Sequence, residues 1–202
     1  MPDTGFPELF GGVPCLDFAN TVDGRATARP EEKLHAYADL VRWSAYAGLI
    51  DAGTAARLAG SPPAAGTAAF RTALVLREAI FQVFAAIGRG RRAPADALTV
   101  MQGRYAEAMA AARLTPDGDR FAWSFGGEAS DAAWWPVAVD AVRLLTAGPL
   151  DRVKACAAET GCIGLFLDTS KNHSRRWCTT AGCGVEAKIQ RQAARRRSAR
   201  TG

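Results

Sequence analysis

Five cysteines offer the clearest chemistry in this chain of 202 residues, and four of them lie close together. Cys156 and Cys162 have five residues between them, fifteen residues follow, and Cys178 and Cys183 have four between them. Two close pairs separated by about 15 to 20 residues form the layout of a tetrahedral four-thiolate zinc site, because each pair clamps the ion from one loop. Both pairs are wider than the usual two-residue spacing, so disulfides, scattered core thiols and a redox pair compete with zinc. The opening Met1-Pro2-Asp3-Thr4-Gly5 has neither the basic start nor the apolar stretch of a secretion signal, and no apolar run reaches the ~20 residues that cross a bilayer. The expectation is therefore a cytoplasmic protein with no membrane partner, whose thiols stay reduced, which disfavours disulfides. Three of the four cysteines also sit in Gly- and Thr-rich loops, as in Thr160-Gly161-Cys162 and Thr179-Thr180-Ala181-Gly182-Cys183, which argues against core thiols.

The surroundings of these cysteines need a metal. About 45 residues rich in Arg, Lys and Ser contain only Ile163, Leu165, Phe166, Leu167 and Trp177 as sizeable apolar groups, too few to offset the entropy of ordering the chain. Zinc held by thiolates contributes ~10 kcal/mol or more in small finger peptides. Four protein ligands leave no open position for substrate, so the expected Zn2+ is structural rather than catalytic. His173 could replace one cysteine, but the polar Asn172-His173-Ser174 turn favours simple exposure.

Charge follows the same division. Lys171 to Gly202 holds nine basic residues and one acidic residue, Glu186; its net +8 leaves −3 for residues 1–170 out of a total of +5. A cationic arm on a mildly acidic body suits a polyanion, nucleic acid first and an anionic membrane surface second, with a merely solvated tail as the plain alternative. After Cys183, Lys188, Arg191 and Arg195 fall three and four apart on one helical face, and Arg196, Arg197 and Arg200 extend the charge. Val185, Ile189 and Ala193 form a narrow apolar stripe expected to lie on the zinc module. Most contacts of such a helix would go to phosphates. Base readout would fall to one or two of Lys188, Gln190, Arg191 or Gln192.

The elements that must position this module read as mostly helical. Phe6 to Val22 has no decisive period. Pro30-Glu31-Glu32 has the features of a first turn and predicts a helix to Gly48, and a short one follows from Asp51 to Leu58. Phe70, Leu74, Arg77, Phe81 and Phe84, widened by Leu76, Ile80, Val83 and Ile87, mark the strongest helix, which stops at Gly88-Arg89-Gly90. Pro94 to Leu114 predicts another, with Leu98, Met101, Tyr105, Met109 and Ala112 on one side. Alternation of Phe121, Trp123 and Phe125 around Asp117-Gly118 predicts a hairpin. Ser130-Asp131 offers an N-cap for a last body helix ending at Gly148, although Pro136 would delay its start. The division predicted is a helical domain over 1–149 and a zinc module with its basic helix over 150–202.

The body shows no catalytic set. With His35 and His173 as the only histidines, acid–base chemistry has little material, and Gly11-Gly12 is too slight for a phosphate loop. The chain reads as a non-enzyme. Asp17 and Asn20 could line a ligand pocket or brace the backbone near a turn, Cys15 reads as a buried thiol, and Trp43, Trp123, Trp134 and Trp135 read as core or pocket wall.

Two stretches resemble known families. Gly164-Leu165-Phe166-Leu167-Asp168-Thr169-Ser170, Arg175-Arg176-Trp177-Cys178, and Cys183-Gly184 followed by Lys188 and arginines resemble the CGNR zinc finger. Leu16-Asp17-Phe18-Ala19-Asn20-Thr21 resembles the start of the ABATE domain that usually precedes it. The resemblance implies a bacterial transcription regulator, with zinc on Cys156, Cys162, Cys178 and Cys183. It also implies DNA held by the basic residues here, Arg175, Arg176, Lys188, Arg191, Arg195, Arg196 and Arg197. The body would then sense a small-molecule effector. One departure matters: where the family signature reads Cys-Gly-Asn-Arg, this chain has Cys183-Gly184-Val185-Glu186, losing an amide and a cation and gaining an anion. A zinc-stabilised adaptor that binds protein or RNA instead of DNA is the alternative that these two residues favour.

Overall fold

The structure, a computed structural model, describes residues 5, 6, 8–126 and 129–201, with side chains of the last helix described as far as Arg197; the side chain of Arg200 lies outside the described residues. Within the segment of indecisive period, α1 (Pro14–Ala19) opens on a proline, whose fixed φ suits a first turn, and buries Cys15, Leu16, Phe18 and Ala19. Pro30 starts no helix, contrary to expectation. Instead β1 (Val22–Asp23) pairs antiparallel with β2 (Glu31–Glu32), and α2 (Tyr37–Tyr46) begins later. Glu32 accounts for the delay: its carboxylate accepts from the N–H groups of Lys33 and Leu34 and pairs with the buried Arg77 at 2.6 Å, which holds the chain out of helical geometry. Asp39 then closes the first turn of α2 by accepting from the N–H groups of His35 and Ala36.

Asp51 caps α3 (Ala52–Ala59) by accepting from the Thr54 N–H at 2.7 Å. The longest helix, α4 (Pro63–Ile87), packs on α1, α2 and α5 (Ala95–Ala111). Its fully buried line is Leu76, Ile80, Val83 and Phe84, so the core runs along the widened edge of the expected stripe. On α5 the buried residues are Ala97, Met101 and Ala108, whereas Leu98 is exposed. The hairpin forms where alternation predicts it, from β3 (Arg113–Asp117) and β4 (Arg120–Ser124), with Leu114 opposite Trp123. Trp123 is 48% exposed and is not part of the core, unlike Trp43, Trp134 and Trp135. A 3-10 turn, Ser130–Ala133, occupies the expected cap, and α6 (Trp135–Ala147) starts beyond it with Pro136 in its first turn.

The main core does not stop at residue 149. β5 (Val153–Ala155) and β6 (Leu165–Leu167) pair antiparallel, and Val153 and Leu165 join the body's core, while Cys156, Phe166 and Cys178 form a second, smaller cluster. A π-helical turn, Thr180–Gly184, leads into α7 (Val185–Thr201). Among the described residues, no helix is long and apolar enough to cross a membrane.

Candidate metal centre

Each thiol is delivered by a different short element. Cys156 follows β5, Cys162 comes from the loop before β6, Cys178 closes the loop after it, and Cys183 sits in the π-turn that begins α7. The left-handed Gly161 (φ +89°) turns the chain toward Cys162, where a Cβ would collide with Thr27. Thr179 braces the other loop: its hydroxyl accepts from the Gly182 N–H and its carbonyl from the Gly184 N–H.

The four Sγ atoms all lie within 4.8 Å of one another, with Cys162 to Cys178 and Cys178 to Cys183 both at 3.6 Å. A tetrahedral ion with bonds of ~2.3 Å sets its sulfurs roughly 3.8 Å apart, so the cage has the size for zinc. Hydrogen bonds from the thiols of Cys162 and Cys178 pull the Cys156 thiol down to about 2, and the Cys178 N–H supports it. Donation to Cys156 pushes Cys162 and Cys178 up, and burial raises Cys183 to about 12. Four thiolates this close need a cation among them. Cys15 lies in the body, fully buried, and burial drives its pKa well above the ordinary thiol value.

Asp168 organises the loop that presents Cys178. Fully buried, it accepts from Lys154 Nζ at 2.5 Å, from both the N–H and the hydroxyl of Ser170, and from the Arg175 N–H. Burial works to raise its pKa, but these donors outweigh it and hold the carboxyl well below the usual carboxylate range. Sequence reasoning missed this hub; the available signal was a lone Lys between Val153 and Ala155 in one short strand and a lone Asp just past the end of its partner. His173 is exposed at φ 50° with its carbonyl accepting from Lys154, and it takes no place among the thiols.

The expected DNA set divides. The Arg175 guanidinium turns into the module: it lies 4.3 Å from the Phe166 ring and donates to the carbonyls of Phe10, Trp177 and Cys178. Arg176, Lys188, Arg191, Arg195, Arg196 and Arg197 are exposed. The apolar stripe of α7 does not lie on the module, since Val185 is 46% and Ile189 59% exposed. The helix leans on Trp177 through Arg191 instead.

Asp17 and Asn20 both brace the fold. Asp17 accepts from the Gly11 N–H at 2.7 Å, and the Asn20 amide exchanges two hydrogen bonds with the backbone of Leu165. Asn20 also borders a cavity of about 370 Å³ at the junction of body and module, together with Asp23, Arg25, Cys162, Cys183 and Glu186.

Comparison with known families agrees with this division of labour. Residues 152–196 match the CGNR zinc finger, and residues 12–148 match ABATE, described as a putative stress-induced transcription regulator. No curated protein matches the chain. Neither family is one of enzymes. The four-sulfur cage is thus the structural Zn2+ site of a C-terminal CGNR finger, and the chain belongs to the ABATE family.

Proposed function

We propose that the chain acts on transcription by binding duplex DNA through α7, which the zinc module holds at its first turn. One observation carries this reading: Lys188, Arg191, Arg195, Arg196 and Arg197 are all exposed on a helix that continues directly from the π-turn bearing Cys183. A cationic helix projecting from a rigid root can follow a groove or a phosphate track. Its contacts to phosphate would give affinity with a steep salt dependence. The junction cavity supports a regulatory role for the body, because its volume falls in the range of small-ligand sites and its walls come from both parts. An effector there would bias the module to the extent that it prefers one arrangement. Such work places the protein in the cytoplasm.

Exposed Val185 and Ile189, with Glu186 between them, favour a second reading in which α7 docks on a protein or on RNA. Gel shifts with duplex and with RNA, using the full chain and a chain ending at Glu186, separate the two. Loss of duplex binding on truncation is the expected result, and unchanged duplex binding would overturn the α7 reading.

A further inference from the structure

A second groove, of about 550 Å³, runs between α7 and the loops of the zinc module, lined by Glu159, Arg176, Trp177, Gln190, Arg191 and Arg197 among others. Trp177 is its one aromatic wall and is half-buried. The guanidinium of Arg176 lies 5.5 Å from the centroid of that indole and that of Arg191 lies 5.6 Å from it. Three arginines against one carboxylate leave the groove cationic. Where α7 borders it, Ala187 and Ala194 contribute short side chains that leave the space beside the indole open.

Were Trp177 only a seat for α7, the helix would press its apolar residues against the ring. Val185 and Ile189 are exposed instead, and α7 gives the indole a cation. An indole flanked by guanidiniums in an open cationic groove has the chemistry that holds a nucleobase. The base takes the place of a guanidinium over the ring, and the displaced arginine meets a phosphate beside it. In a duplex both faces of each base are covered by its neighbours, so the base that enters must be unstacked.

We propose that Trp177, with Arg176 and Arg191, forms a stacking site for an unpaired base of a single-stranded segment. The proposal rests on the reading of α7 as a nucleic-acid helix and specifies which form of nucleic acid meets its inner face.

The test measures fluorescence anisotropy of the zinc-loaded full chain with three labelled probes: an oligothymidylate, an abasic strand of the same length, and a blunt duplex. Wild type is compared with Trp177→Leu, which keeps apolar bulk, Trp177→Phe, which keeps an aromatic face, and Arg195→Ala, with zinc content and circular dichroism checked for each. Trp177→Leu should lose at least about tenfold more on oligothymidylate than on duplex, while Trp177→Phe stays within about threefold of wild type on both. Wild type should also bind the abasic strand about tenfold more weakly, a readout that holds even where Trp177→Leu fails to fold. Equal binding of the abasic strand and oligothymidylate, or an equal loss on strand and duplex in Trp177→Leu, would overturn the proposal. If duplex binding responds to Arg195→Ala but oligothymidylate binding ignores Trp177, the α7 reading stands and this proposal falls. If oligothymidylate binding depends on Trp177 and no duplex binds, this proposal stands and the duplex reading falls.

Discussion

Asn20 and Leu165, 145 residues apart, form a reciprocal pair in which the Leu165 N–H donates to Asn20 Oδ1 and Asn20 Nδ2 donates to the Leu165 carbonyl, both at 2.8 Å. The side-chain amide stands in for a neighbouring strand along β6 and ties the end of α1 to the zinc module. Asn20→Ala strands a buried N–H and a buried carbonyl, at a cost of about 2–3 kcal/mol. Thermal unfolding followed by circular dichroism should show a fall in Tm of about 5–10 °C for a chain of this size. A shift within experimental error would mean that the two parts are not held together by this pair.

Asp17 gives the body a pH signature. Burial raises its pKa from the ordinary 3.8 to about 6, against the pull of the Gly11 and Phe10 N–H groups. A folded state that holds this proton more tightly than the unfolded chain is favoured below pH ~4 and loses that advantage as pH rises to ~6, by about 3 kcal/mol in total. Asp17→Asn keeps an acceptor for the Gly11 N–H and removes the titration. In urea unfolding, the stability of the variant relative to wild type should therefore rise between pH ~4 and ~6 and level off above. A difference that does not change with pH contradicts a buried, proton-retaining Asp17.

How much of this was legible in the sequence depended on how local the signal was. Paired cysteines encode a metal site through spacing alone, and the 3.6-residue period of α4 and the alternation of β3 and β4 are equally local. Pro30-Glu31-Glu32 misled because Glu32 answers to Arg77, a partner 45 residues away that converts a good first turn into a strand. Arg175 is a similar case: a run of basic residues carries no sign that one guanidinium donates to the carbonyls of Phe10, Trp177 and Cys178. The apolar stripe on α7 was visible, but which face meets the module was settled by Trp177 and the arginines beside it.

Arg175 and Arg195 should therefore fail differently. Arg175→Ala leaves carbonyls beside the cage without their donor and should lower thermal stability by about 2 kcal/mol or more, with weaker retention of zinc against a chelator. Arg195→Ala should leave stability within about 0.5 kcal/mol. On duplex DNA it should lower the slope of log affinity against log salt by about 0.9. Stability data and a salt titration on the two variants suffice, and a pure affinity loss in Arg175→Ala with unchanged stability would return it to the DNA-contacting set.

The zinc cage matters here because it roots the basic helix, so metal and duplex affinity must move together. Zinc content by native mass spectrometry and duplex affinity by anisotropy, read on the same samples during a chelator titration at ~0.15 M salt, test that link most directly. Loss of one zinc per chain should weaken duplex binding at least about tenfold, in step with the metal, since most of the module's order comes from the ion. Metal-free protein that binds the duplex as tightly as the zinc-loaded form would contradict a scaffold role for the four cysteines.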